Sequence, residues 1–148
     1  MAFLEFVAGA AAKDDVSGPT EDNFGLVFAA DGIDRSCGWT IYAPPEIRVQ
    51  NPLILRMCLF DSGLGAGVVR FGYTYYAAQD SGAPILTGAG DILITIPGIA
   101  NTVIYEDVSI FGWLNINTTL LLLRINRDST HPLDTYASSA SYFSGRTL

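Results

Sequence analysis

The sequence predicts an all-β sandwich of about eight antiparallel strands, and three observations predict it. Short apolar runs rich in Val, Ile, Tyr and Phe recur from Phe24 onward, broken by Gly, Pro, Asn and Asp. Several runs alternate apolar with polar or small residues at the period of two that a half-buried strand requires. No stretch carries apolar side chains at the i, i+3, i+4, i+7 spacing of an amphipathic helix.

Taken in chain order, the start is the hardest part to place. Residues 1–12 (MAFLEFVAGAAA) are apolar, but they lack the basic opening of a secretion signal and Glu5 interrupts them. No run approaches the roughly 18 apolar residues of a membrane-spanning helix. Residues 13–23 (KDDVSGPTEDN) are polar and turn-rich, which reads as a linker. An apolar strip on a polar tether has the form of a docking arm, with Phe3, Leu4, Phe6 and Val7 against a neighbouring subunit. The competing reading is a first strand or short helix of the core. On the arm reading, residues 1–23 are arm and linker, and residues 24–148 are the sandwich domain.

Strands follow at 24–30, 37–42, 53–60, 68–77, 91–96, 102–111, 119–126 and 135–143. The fourth alternates most clearly: Val69, Phe71, Tyr73 and Tyr75 share one face, and Arg70, Gly72 and Thr74 the other. Asp91 opens a run in which Ile92, Ile94 and Ile96 face inward against Leu93 and Thr95. In the seventh, the inward set is Leu121, Leu123 and Ile125, opposite Arg124 and Asn126. The breaks agree. Pro44-Pro45 stops the second strand because proline cannot donate to a ladder, and Pro97-Gly98 is a turn dipeptide. Gly63, Gly65 and Gly67 predict a hairpin-like loop between the third and fourth strands. Strands of this number and size make a jelly roll or an immunoglobulin-like sandwich. Trp39 lies only two residues after Cys37, which does not fit the antibody Cys…Trp…Cys pattern, so a jelly roll is the expectation.

The composition bounds function. With 49% hydrophobic residues and 16% charged, the chain is not intrinsically disordered, and it carries more apolar surface than a lone domain of 148 residues readily hides. An oligomer or a subunit of an assembly is therefore expected. Eight Lys and Arg against fifteen Asp and Glu give a net charge of −7, with Lys13 the sole lysine. Such a chain is a poor partner for nucleic acid or an anionic membrane. One histidine and two cysteines cannot supply a four-ligand structural zinc site. Cys37 and Cys58 fall in different strands and are expected as buried thiols. Asn117-Thr118-Thr119 matches a glycosylation sequon, which has meaning only in a secreted eukaryotic chain.

No motif specifies a reaction. Ser62, His131 and Asp134 supply the residue types of a hydrolase triad, but Leu59-Phe60-Asp61-Ser62-Gly63 is not a nucleophile elbow. Glu46, Asp91, Glu106 and Asp107 are candidates for a glycosidase pair. Glu106 and Asp107 are neighbours on a strand, so they point to opposite faces. Asp14-Asp15, Glu21-Asp22-Asn23 and the Asp31/Asp34 turn are acidic enough for loop calcium, without EF-hand spacing. The Gly63–Gly67 repeat precedes a strand, whereas a phosphate loop needs a helix N-terminus. No catalytic, cofactor-binding or metal-ligating residue is assigned, and no cofactor is expected. Tyr42, Tyr76 and Trp113 are left as candidate surface aromatics for stacking on sugar rings.

Four segments carry a resemblance. They are Trp39-Thr-Ile-Tyr42-Ala-Pro44-Pro45-Glu46, Pro52-Leu-Ile-Leu-Arg56, Leu121-Leu-Leu-Arg124-Ile-Asn-Arg127-Asp128, and Asp134-Thr135-Tyr136 with the closing Tyr142-Phe143. In these, residues 38–143 resemble the small jelly-roll structural proteins of tailed bacteriophages. The resemblance implies a non-enzymatic capsid decoration (cement) protein. Such a protein is usually a homotrimer on the outer capsid surface of the virion, where it clamps neighbouring copies of the major capsid protein. The alternative it implies is a receptor- or carbohydrate-binding module of a tail or spike.

Overall fold

The computed structural model describes residues 5–7, 11–13, 18–22, 25–42, 54–79, 82–108 and 118–147. These residues form strands and no helix: β1 (Glu5–Val7), β2 (Ala12–Lys13), β3 (Thr20–Asp22), β4 (Gly25–Phe28), β5 (Arg35–Tyr42), β6 (Leu55–Asp61), β7 (Gly67–Gln79), β8 (Ile85–Ile96), β9 (Thr102–Val108), β10 (Thr118–Arg127) and β11 (Ala140–Thr147). The eight strands expected from the sequence correspond to β4 to β11, but the last begins at Ala140 and not at 135, because Thr135 and Tyr136 lie in a loop whose N–H groups bond the Val68 carbonyl. β8 starts six residues before the expected 91, because Gly88 and Gly90 conceal a strand from pattern reading. Tyr75 and Tyr73 of β7 lie over those glycines and fill the space a side chain would take.

The strands pair antiparallel in two sheets. Sheet one runs β3-β4-β11-β6-β9, with β1 also on β11, and sheet two runs β2-β5-β10-β7-β8. Every step from β4 to β11 crosses between sheets except the β7–β8 hairpin. The sheets meet face to face on one core, to which sheet one gives Leu26, Phe28, Leu55, Met57, Leu59 and Tyr142. The inward sets expected in β7, β8 and β10 are on the core side, with Ile92, Ile94, Leu121, Leu123 and Ile125 almost fully buried. Aromatic rings tie the layers: Phe28 meets Phe71 edge-on at 5.2 Å, and Trp39 meets Tyr142 at 5.6 Å.

Residues 5–22, expected as arm and linker, contribute three short strands to the sheets. β1 lies along Ser144 to Arg146 of β11, beyond the stretch of β11 that β4 occupies. Phe6, expected at a subunit interface, is fully buried in the chain's own core, edge-on to Trp39 at 5.9 Å. Its carbonyl accepts the Tyr142 hydroxyl at 2.7 Å. Val7 is in β1, and Phe3 and Leu4 lie outside the described residues.

The glycine-rich segment after β6 is not a hairpin. β6 belongs to sheet one and β7 to sheet two, so residues 62–66 turn a corner. The cause is Asp61, fully buried, whose carboxylate accepts the Gly63 N–H at 2.8 Å and those of Gly98 and Ile99 at 2.9 and 3.0 Å. Gly63 (φ 83°) sits so close to Ala100 that any side chain there would collide.

Candidate interaction face

The outward side of sheet two divides into two halves by register. Across β5, β10 and β7, one row aligns Thr40, Leu122 and Tyr76, and the next aligns Tyr42 with Leu120. Because Leu121 and Leu123 point into the core, these side chains point away from it. Tyr42 is exposed, and Leu120, Leu122 and Tyr76 are half-buried. The sequence-predicted aromatics Tyr42 and Tyr76 therefore share a face, two strands across and one row along, about 12 Å apart. Trp113 lies outside the described residues.

The other half of this face is polar and internally paired. Arg124 donates to the Ser36 hydroxyl at 3.0 Å, Asn126 Nδ2 donates to Asp34 at 2.8 Å, and Arg70 is ion-paired with Asp91. Where the two halves meet is an open groove of about 510 Å³, lined by Ser36, Gly38, Thr40, Tyr76, Leu122 and Arg124 among others. Gly38 lies tight against β10 in its floor, where a Cβ would press on the Leu123 carbonyl at 3.0 Å and the Arg124 side chain at 3.1 Å. The groove offers hydroxyls and a guanidinium beside a tyrosine ring, a set suited to contact and recognition.

The candidate catalytic groups are engaged elsewhere. Both Asp134 oxygens accept from Arg127, at 2.8 and 2.9 Å, and His131 Nδ1 accepts the Leu133 N–H at 3.2 Å. A triad needs that aspartate to orient the histidine, and here it orients an arginine. Of the candidate carboxylates, Asp91 pairs with Arg70 and Asp107 with Arg56, while Glu106 lies on the opposite face of β9, across from Met57. Glu46 lies outside the described residues. The Arg56 side chain holds the Asp107 carboxyl below its ordinary value. Asp31 bonds Arg35 and Asp34 bonds Asn126, and among the described residues no three His, Cys, Asp or Glu side chains are grouped to hold a metal. Asp14, Asp15 and Asn23 lie outside them. Cys37 is buried in β5 and Cys58 half-buried in β6, with no disulfide between them. Burial pushes the Cys58 thiol up, against a hydrogen bond with Tyr105 that pulls it down.

Two important side chains escape sequence reasoning. Arg127 is fully buried and all of its donors are used: Nε and Nη2 on Asp134, Nη1 on the carbonyls of Phe28 and Ser138, and Nη2 again on that of Tyr136. It and Asp61 had a readable signal. Arg127 continues the inward phase Leu121, Leu123, Ile125, and Asp61 continues Leu55, Met57, Leu59. Both fix corners of the sandwich and neither faces a groove. No protein-family model matches this chain, and no curated protein matches it either.

Proposed function

We propose that the sandwich is a jelly roll and that the chain is a non-enzymatic structural protein of a phage particle. In this reading it is a homotrimeric decoration protein on the outer capsid, clamping neighbouring capsid subunits. Support for the jelly roll comes from the strand order: β4-β11-β6-β9 faces β5-β10-β7-β8, with one hairpin and otherwise alternating crossings. The particle assignment is supported by the resemblance of residues 38–143 to phage jelly-roll proteins. The observation that carries self-association is the apolar half of the outer face of sheet two, where Tyr42, Leu120, Leu122 and Tyr76 sit together and, among the described residues, are aligned with no charged residue across β5, β10 and β7. Burying such a face yields roughly 25 cal/mol per Å² of apolar area, and three linked copies turn modest contacts into high avidity.

A second reading is favoured by one observation, the presence of Tyr42 on the same face as a groove lined by Tyr76 and Arg124. Those rings could stack on a sugar, as in a receptor-binding module. Light scattering after size exclusion, over about a hundredfold dilution, separates the two. A dilution-resistant trimer that becomes a folded monomer in Leu122→Ser/Tyr76→Ser supports the decoration protein. A wild-type monomer overturns it, and saturable glycan binding lost in Tyr42→Ala then establishes the second reading.

A further inference from the structure

The sandwich has one end where all the loops are described: residues 29–34, 62–66, 97–101 and 128–139, joining β4–β5, β6–β7, β8–β9 and β10–β11. Each of these loops presents one large apolar side chain to solvent. They are Ile33 at 46% exposure, Leu64 at 73%, Ile99 at 59% and Leu133 at 45%. Single exposed leucines are ordinary on a protein surface, but one per loop on four touching loops is a shared feature of that end.

The loops do touch. Gly32 N–H donates to the Ser129 hydroxyl at 3.0 Å, joining the first loop to the last. The Ser138 hydroxyl donates to the Leu64 carbonyl at 3.5 Å, joining the last to the second. Asp61 clamps the second to the third through Gly63, Gly98 and Ile99. Beneath them, Arg127 holds the last loop by Asp134, Tyr136 and Ser138. Apolar side chains on loops fixed in this way lose little conformational freedom on contact, which is the condition for economical binding.

Charge identifies the partner. The four loops contain Asp31, Asp34, Asp128 and Asp134 and no lysine or arginine. Asp134 is consumed by Arg127, and Asp31 shares Arg35 at the base of its loop; Asp34 is exposed with the neutral Asn126 as its partner, and Asp128, half-buried at the rim, lies near Arg70, whose own ion pair is with Asp91. Anionic lipid, nucleic acid and a second copy of the same end all meet this rim with like charge.

We infer that this four-loop end is a docking tip whose occupant is a protein surface with an apolar centre and a rim of lysine or arginine. Within the function proposed above, on which the inference rests, that surface belongs to the capsid shell, and the tip is what the chain plants on it. Leu64 and Ile99, the two most exposed of the set, are the anchors.

The test uses shells of the parent particle stripped of this chain, with binding read by co-sedimentation. Wild type, Leu64→Ser/Ile99→Ser, Leu64→Lys and a control, Leu93→Ser, on the exposed outer face of β8, are compared after their thermal midpoints are matched. The expected result is at least about tenfold weaker binding for both loop variants, an unchanged control, and wild-type binding that weakens from about 0.05 to about 0.5 M salt. Leu64→Lys adds a charge of the same sign as the partner's rim, so it loses binding even if the serine pair folds poorly. Wild-type binding that both loop variants retain overturns the tip and leaves attachment standing. Wild type that does not bind stripped shells overturns the attachment reading, and the inference with it. Loop-dependent binding to phosphatidylcholine vesicles and not to shells overturns the protein occupant.

Discussion

Arg127 is the residue on which one end of the molecule closes. Its guanidinium meets a carboxylate and three carbonyls from two separate chain segments, the end of β4 and the loop 134–138, with no exposure to solvent. A buried pair of this kind contributes little net stability against a well-packed apolar substitute, but removing one partner strands the other's charge. Arg127→Met is therefore expected to lose about 3–5 kcal/mol in chemical denaturation. Arg127→Met/Asp134→Leu should lose less than Arg127→Met alone, because no carboxylate is then buried without a cation. A loss for the double variant equal to the sum of the singles would count against this account. Both Arg127 and Asp61 fall in the inward phase of their strands, but the strands read from the sequence stop one residue short of each, at 126 and 60, because a charged residue at the end of a strand reads as the exit to solvent. Only the return of a distant loop, 134–138 in one case and 98–99 in the other, shows what satisfies them.

Among elements, the long strands were legible and the short ones were not. β7 and β10 each carry several full alternations, and their inward sets are the observed core. β1, β2 and β3 have two or three residues, too few for any period to be read. Sheet membership was equally hidden: the corner after β6 has the glycines of a hairpin, and a buried aspartate decides that it is something else. β1 makes the clearest prediction at this scale. Phe6→Ala empties a core position against Trp39 and should cost about 3–5 kcal/mol in urea unfolding. Deletion of residues 1–13 should lower the thermal midpoint of the sandwich itself. A truncated chain that keeps its midpoint and loses only assembly would return the segment to the arm reading.

For the whole molecule, the ionisable groups bound the pH range of stability. Arg35 and Arg56 hold Asp31 and Asp107 below the ordinary 3.8, and the Thr130 hydroxyl does the same for Asp128. A carboxylate depressed by folding stabilises the native state above its unfolded value, and that contribution disappears as pH falls through the folded values. Tyr142 acts at the other limit. Burial raises its phenol well above 10.0, so its contribution is complete below that pH and is lost as pH rises and the unfolded chain ionises first. Urea midpoints should be level at neutral pH, fall below about pH 4 and fall again above about pH 10. Tyr142→Phe should flatten the alkaline fall, and Arg56→Gln should soften the acid one. An alkaline slope unchanged by Tyr142→Phe would assign it to other groups. The all-β class and the apolar excess were legible at this scale. The two halves of the outer face of sheet two were not, because they exist only once β5, β10 and β7 lie side by side.

The strand order also governs how the protein comes into being on the ribosome. β11 lies between β4 and β6, and β10 lies between β5 and β7, so the last two strands in chain order occupy the middle of both sheets. A nascent chain that has emerged only through β9 has the β7–β8 hairpin and the strands of the β6–β9 pair, but β4, β5, β6 and β7 still await their central neighbours. Until β10 and β11 arrive, β4, β5 and β6 are paired on one edge only, by β3, β2 and β9, and their inner edges are open to nascent chains on adjacent ribosomes. Newly made chains are thus most prone to mispairing just before synthesis of β10 and β11. The pace of translation through β10 and β11 becomes a determinant of yield.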